Sequence, residues 1–129
     1  MKIMKYTSLV IAICFATACR PLVTTTLEPD LFEQTLGQAS HPQLVDVRTP
    51  QEYDEGYIEG AVLMDIKVAG FDTQILQLNP EQPVFVYCRS GKRSLEAAKI
   101  LEKHKFKVVY NLGGGINAWR AKGKKVIIP

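Results

Sequence analysis

"VFVYCRSGKRSLEAAKIL", residues 84–101, is the stretch on which the fold turns. An apolar run ends at Cys88, six small or basic residues follow, and a helical pattern begins. "PVFVYC" (83–88) is the most apolar strand pattern in the chain. "SLEAAKILEKHKF" (94–106) is its strongest helix pattern, with Leu95, Ala98 and Leu101 on one face and Glu96, Lys99 and Lys103 on the other. A thiol therefore stands in the joint between a buried strand and an amphipathic helix, beside Arg89, Lys92 and Arg93.

The same alternation extends to either side. "LEPDLFEQTLGQA" places Leu27, Leu31 and Leu36 near helical spacing, with acids early and Gly37 late. "QLVDVR" (43–48) reads as a strand before the turn signal Thr49-Pro50. Thr49 is placed to cap a short helix, "PQEYDEG", with Pro50 at its first position and Glu52 following. "AVLMDI" (61–66) reads as a second buried strand, and "FDTQILQL" as a helix through Phe71, Ile75 and Leu78. "KVVYNL" is a strand, and "GGINAWRAKG" a helix ending at Gly123. Strands separated by helices predict an α/β fold: a mostly parallel central sheet flanked by helices on both faces, in three layers. Ligands of such sheets bind beyond the carboxyl ends of the strands, which is where Cys88 falls.

Length and charge bound the rest. A chain of 129 residues suits one domain, and its 47% apolar and 22% charged composition is that of an ordinary soluble one. The net charge of +3 is no nucleic-acid signal, because Lys2 and Lys5 in the leader leave the remainder at +1. From Lys99 to Lys125 eight basic residues face only Glu102, and we read these as a solvated helix face and a charged tail.

The first nineteen residues, "MKIMKYTSLVIAICFATAC", have two lysines, the apolar stretch Leu9 to Ala16, then small residues. That is the order of a secretory signal, and the stretch is shorter than the ~20 residues a membrane span needs. Residues 1–18 are expected to be a signal peptide, 19–26 a tether and 27–129 the domain. Ala16-Thr17-Ala18-Cys19 resembles the lipobox of bacterial lipoproteins, with Ala16 where leucine is usual. It implies lipid attachment at Cys19 and a periplasmic, membrane-anchored protein. Plain cleavage after Ala18 is the alternative.

The loop carries the chemistry. A helix N-terminus offers unpaired N–H groups and the positive end of its dipole. Arg89, Lys92 and Arg93 add positive charge, Ser90 and Ser94 can donate hydroxyls, and Gly91 lets the amides curl inward. All of this favours a negative sulfur at Cys88 and lowers its pKa.

At this point the sequence resembles a single-domain rhodanese, a thiosulfate or persulfide sulfurtransferase, from about residue 27 to 129. "LVDVRTPQEY" is similar to the family's first motif, in which Asp46 and Arg48 lie near the active-site loop. "EGYIEGAVLMDI" corresponds to the second, with Tyr57 and Glu59 where the family usually has His and Pro. "VYCRSGKRS" is similar to the active-site loop, and "VYNLGGGINAW" to the closing motif with Gly113 to Gly115 and Trp119. The resemblance implies Cys88 as sulfur-carrying nucleophile and a loop of Arg89, Ser90, Gly91, Lys92, Arg93 and Ser94 around the substrate. The position of Asp46 and Arg48 two apart at a strand end suits a loop-orienting role. It implies no cofactor. The partners it implies are a small sulfur-containing anion such as thiosulfate, a cyanide or thiol acceptor, and a possible protein acceptor.

His41 sits in a polar connection and His104 among lysines at a helix end, so a Cys–His dyad has little support. Past the leader Cys88 is the lone cysteine, and no paired Cys or His spacing points to a metal. Two rivals stay open. One is an anchored persulfide carrier serving a partner protein. The other is a cysteine phosphatase or arsenate reductase, whose loop resembles Cys, five residues, then Arg. Here Arg93 comes one position early and Ser94 takes the place of that Arg, which favours sulfur over a phosphoryl group.

Overall fold

In the computed structural model, residues 23–129 are described. Five strands form one sheet: β1 (Thr24–Leu27), β2 (Gln43–Asp46), β3 (Val62–Leu63), β4 (Val84–Tyr87) and β5 (Val109–Leu112). Their order is β1-β5-β4-β2-β3 and every pairing is parallel. The helices are α1 (Pro29–Gln38), α2 (Pro50–Asp54), α3 (Phe71–Gln74, continued as a 3₁₀ turn Ile75–Gln77), α4 (Lys92–Lys103) and α5 (Gly115–Ala121).

The centre of the sheet explains the apolar reading of β4. Its side chains alternate between two cores. Val84 and Val86 pack with Phe71, Ile75, Ala97, Ala98 and Leu101 under α3 and α4. Phe85 and Tyr87 pack with Phe32, Leu112, Ile116 and Trp119 under α1 and α5. All four strand residues are at most 1% exposed, so each large side chain contributes about 1.5–3 kcal/mol by burial. Continuing the alternation puts Cys88 on the α4 face, within the first core.

The chain departs from the sequence reading in four places. Thr24 to Thr26, expected within the tether, and Leu27, expected to open the first helical pattern, form edge strand β1 and pair residue for residue with Val109 to Leu112. Three threonines are good strand formers, and β5 offers them a free edge. Helix α1 starts at Pro29, with the Glu28 carboxylate accepting from the Asp30 and Leu31 N–H groups at 3.1 and 2.9 Å. That phase buries Phe32 and leaves Leu31 exposed. Along α4, the inward line is Ser94, Ala97, Ala98 and Leu101, and Leu95 is 43% exposed. The small alanines let the helix lie close on β4, which a leucine there would prevent. The expected strand 61–66 shortens to two residues at the sheet edge, where Val62 is exposed. Beyond them Met64 and Ile66 still donate to the Asp46 and Val47 carbonyls. The signal-peptide reading and Cys19 lie outside the described residues.

Candidate active site

Cys88 follows β4 directly, and the three residues after it, Arg89 to Gly91, turn the chain into α4. The thiol is 1% exposed. Its sulfur accepts the Gly91 N–H at 3.1 Å and the Ser94 hydroxyl at 3.4 Å. Helix α4 has no side-chain oxygen cap, and its N-cap is Gly91 at φ +99°. The sulfur thus occupies the place of a capping oxygen and takes the helix's free amides and dipole. Burial alone pushes the Cys88 pKa up. The Ser94 hydroxyl and the backbone N–H groups of Ser94, Gly91 and Ser90 outweigh that and hold it below the ordinary thiol value.

A second helix keeps the loop in this shape. The Ile116 and Asn117 N–H groups, at the start of α5, donate to the Cys88 and Arg89 carbonyls at 2.9 and 3.1 Å. In a trans peptide the C=O and the next N–H point opposite ways. Fixing the Arg89 carbonyl on α5 turns the Ser90 N–H, which shares its peptide, toward the sulfur. Gly115 permits the contact: at φ +60° it comes so near that a Cβ there would meet the Arg89 oxygen at 2.4 Å. The sequence showed the three glycines, but not that they brace the cysteine loop, because that contact joins residues far apart in the chain.

The loop's other expected residues divide. The Ser94 hydroxyl is on the sulfur and also donates to the Gly91 carbonyl at 3.1 Å. Ser90, Arg89 and Lys92 are exposed, and Ser90 acts on the sulfur through its backbone. Arg93 was expected to face the substrate. Instead its guanidinium grips Glu52 at two points, 2.8 and 2.7 Å. Glu52 closes the α2 capping box at the same time, accepting from the Thr49 N–H at 3.0 Å. The Arg93 fork holds the Glu52 carboxyl down at about 2, against burial and with help from Thr49. Glu52 is the site residue that sequence reasoning missed in this role. It was noticed as a helix-start residue and nothing more.

Asp46 and Arg48 are a buried pair, with Arg48 Nη2 2.7 Å from the carboxylate. Arg48 also donates to the Gly56 carbonyl at 2.8 Å and lies over the Tyr87 ring at 5.7 Å. Neither side chain has a hydrogen bond to residues 88–94 among the described residues. They fix the turn after α2 and the residue before Cys88; the loop itself is held by α5. Where the second motif departs from its pattern, Tyr57 stacks on Tyr53 with ring centroids 4.2 Å apart and pairs its backbone with Ile127. His41 is exposed, and His104 ends α4 on the far end of that helix from Cys88.

A polar recess of about 260 Å³ adjoins the loop, lined by Arg48, Glu52, Glu55, Arg89, Asn117 and Arg120. A recess of about 510 Å³ between Leu36, Ile58, Trp119 and Lys124 touches no loop residue. A buried sulfur held by N–H and O–H donors therefore stands at the carboxyl end of the central strand.

Residues 28–122 match the model of the rhodanese-like domain. The chain belongs to the rhodanese-like family. A sulfurtransferase of Allochromatium vinosum is 31% identical over 103 residues, covering 80% of this chain and 94% of that one. A putative sulfur carrier protein of Bacillus subtilis, YrkF, is 30% identical over 72% of this chain, which spans about half (49%) of YrkF. Among solved structures, a rhodanese-like domain protein of Staphylococcus aureus superposes with a TM-score of 0.69 at 27% identity, over 81% of this chain and 97% of that one. The polysulfide-sulfur transferase homodimer of Wolinella succinogenes superposes at 0.65 with 27% identity, over 81% and 78%. The three-layer α/β fold with its parallel sheet is the fold of these rhodanese-like neighbours.

Proposed function

We propose that this rhodanese-like chain is an enzyme that moves sulfane sulfur through a persulfide on Cys88. The observation that carries the reading is the sulfur itself, buried and holding N–H and O–H donors where a helix cap belongs. The Cys88 thiolate attacks the outer sulfur of a donor such as thiosulfate. The S–S bond of the donor breaks, sulfite leaves with the electron pair, and a Cys88–S–S⁻ persulfide remains. Charge is conserved, and no proton or cofactor enters. Cyanide or a thiolate then takes the terminal sulfur as thiocyanate or a new persulfide, and the Cys88 thiolate returns. The loop amides and Ser94 stabilise negative charge at Cys88 in each state.

Intact mass tests this directly. Thiosulfate or polysulfide should add one sulfur to the wild type, and cyanide should remove it. Cys88→Ser should abolish both. Sulfur loading that survives in Cys88→Ser overturns the reading.

A carrier role, with the persulfide delivered to a partner protein, is the second reading, and the likeness to YrkF supports it. Easy loading with a very weak Michaelis constant for small donors favours the carrier. For the leader, the lysine, apolar and small-residue order supports export and lipid attachment at Cys19. Palmitate labelling that vanishes in Cys19→Ala is the expected result. Recovery of a soluble periplasmic protein beginning at Cys19 refutes the anchor.

A further inference from the structure

Every guanidinium that could grip an anion at Cys88 needs accounting for. Arg48 is spent on Asp46 and the Gly56 carbonyl, inside the fold. Arg93 is the first-turn cation of α4, one residue before Ser94, whose hydroxyl is on the sulfur. Both of its terminal nitrogens are on the Glu52 carboxylate, at 2.8 and 2.7 Å, with each side chain about four-fifths buried. The Glu52 carboxylate neutralises that guanidinium and fixes its direction, so its remaining N–H groups are not those of a free cation. Arg89, Lys92 and Arg120 remain; all three are exposed, where solvent and salt screen them, and Arg120 also donates to the Glu55 carbonyl at 3.1 Å.

The geometry points to Glu52 as the residue that decides which sulfur donors this site prefers, by withholding Arg93 from the oxyanion head of a substrate. This rests on the sulfur-transfer reading above and sharpens it. Thiosulfate carries its transferable sulfur on a sulfonate whose three oxygens need donors. A persulfide or polysulfide carries no such head, and asks only for the amide ring around Cys88. With Arg93 held by Glu52, the ring is present and the clamp is absent. The site is thereby set for persulfide and polysulfide donors over thiosulfate. The same restraint separates it from oxyanion-handling cysteine enzymes, beyond the difference in loop length. The Glu52 carboxyl stays ionised far below neutral pH, so the restraint persists across the working range.

The test is Glu52→Gln, whose amide oxygen can still accept from Thr49 and keep the cap. It should lower KM for thiosulfate by about fivefold, as expected for regaining a charge-assisted contact. Competitive inhibition by inorganic phosphate should strengthen to match. KM for an alkyl persulfide, which passes its outer sulfur to Cys88 and leaves as the thiolate but has no sulfonate head, should stay put. The Glu52→Gln, Arg93→Gln double variant should lose the gain. A thiosulfate KM that is unchanged or raised in Glu52→Gln, relative to the alkyl persulfide, overturns the inference. Should that variant fold poorly, the wild type decides through the Arg93 Nε–H resonance on titration with sulfate. It should hold still while the Gly91 amide moves, and its movement with sulfate overturns the inference. If no sulfane donor loads Cys88 at all, the sulfur-transfer reading has failed instead; if polysulfide loads it and the Glu52→Gln ratio is flat, only this inference has.

Discussion

Two strand-to-helix turns stand side by side on neighbouring strands and are built alike. One joins β4 to α4 through Gly91, the other β5 to α5 through Gly114. Each N-cap glycine has a left-handed φ, +99° and +74°, and neither helix has a side-chain cap. What differs is what the free amides are given. Those of α4 receive the Cys88 sulfur. Those of α5 receive the backbone carbonyls of the first loop. The second turn is therefore structural so that the first can be chemical. Carbonyl oxygens repel a negative sulfur, and the α5 end takes those of Cys88 and Arg89 away from it.

The comparison breaks first at Gly115. Gly115→Ala needs a Cβ 2.4 Å from the Arg89 oxygen at φ +60°, so the loop or the helix must move. We expect a loss of about 2–5 kcal/mol from left-handed strain and overpacking together. Sulfur transfer should fall about 100-fold, the scale of an ångström-sized misplacement. A melt and a rate assay on one preparation check both; wild-type rates would mean that α5 does not set the loop. Gly91→Ala, by contrast, meets nothing nearer than 3.4 Å, so only its φ is at stake. Its cost should be about 1–2 kcal/mol by chemical denaturation, below that of Gly115→Ala; the reverse order would contradict the bracing argument.

Ser94→Ala sharpens the chemical side. The thiol is held low because donors outweigh burial, and removing one donor raises it. The pH profile of Cys88 alkylation should shift to higher pH, with neutral-pH reactivity down about three- to tenfold. A shift the other way would mean that the hydroxyl does not donate to the sulfur. The smallest effect is expected at Leu95, on α4 but facing solvent. Leu95→Ala should change stability by less than about 0.5 kcal/mol; a larger loss would restore the inward face that its spacing suggested.

Leu95 also shows what the sequence could and could not disclose. Periodicity located α4, because three and a half turns of pattern are hard to mistake. It could not choose between phases in which leucine or alanine faces the sheet, since that depends on how near the helix approaches. β4 was legible because a strand buried on both faces is apolar throughout. β1 was not, since three exposed or half-exposed threonines resemble a linker until a neighbour offers an edge. Cys88, Gly91 and Ser94 were legible as a local unit of seven residues. The partnership of Arg93 with Glu52 was not, because 41 residues separate them. The cation was visible in the sequence, and the carboxylate that occupies it was not.

Strand β1 also fixes an orientation. All five strands run the same way, and Leu27 is level with Leu112, which lies one residue short of the glycines behind the cysteine loop. Thr24 is therefore at the opposite end of the sheet from Cys88, about 13 Å away along the strand at 3.3 Å per residue. Whatever is attached upstream of Thr24 joins the domain at its base. A surface that held the chain by that end would find the Cys88 loop turned away from it. The domain would look outward, toward partners arriving from solution and not toward neighbours embedded beneath.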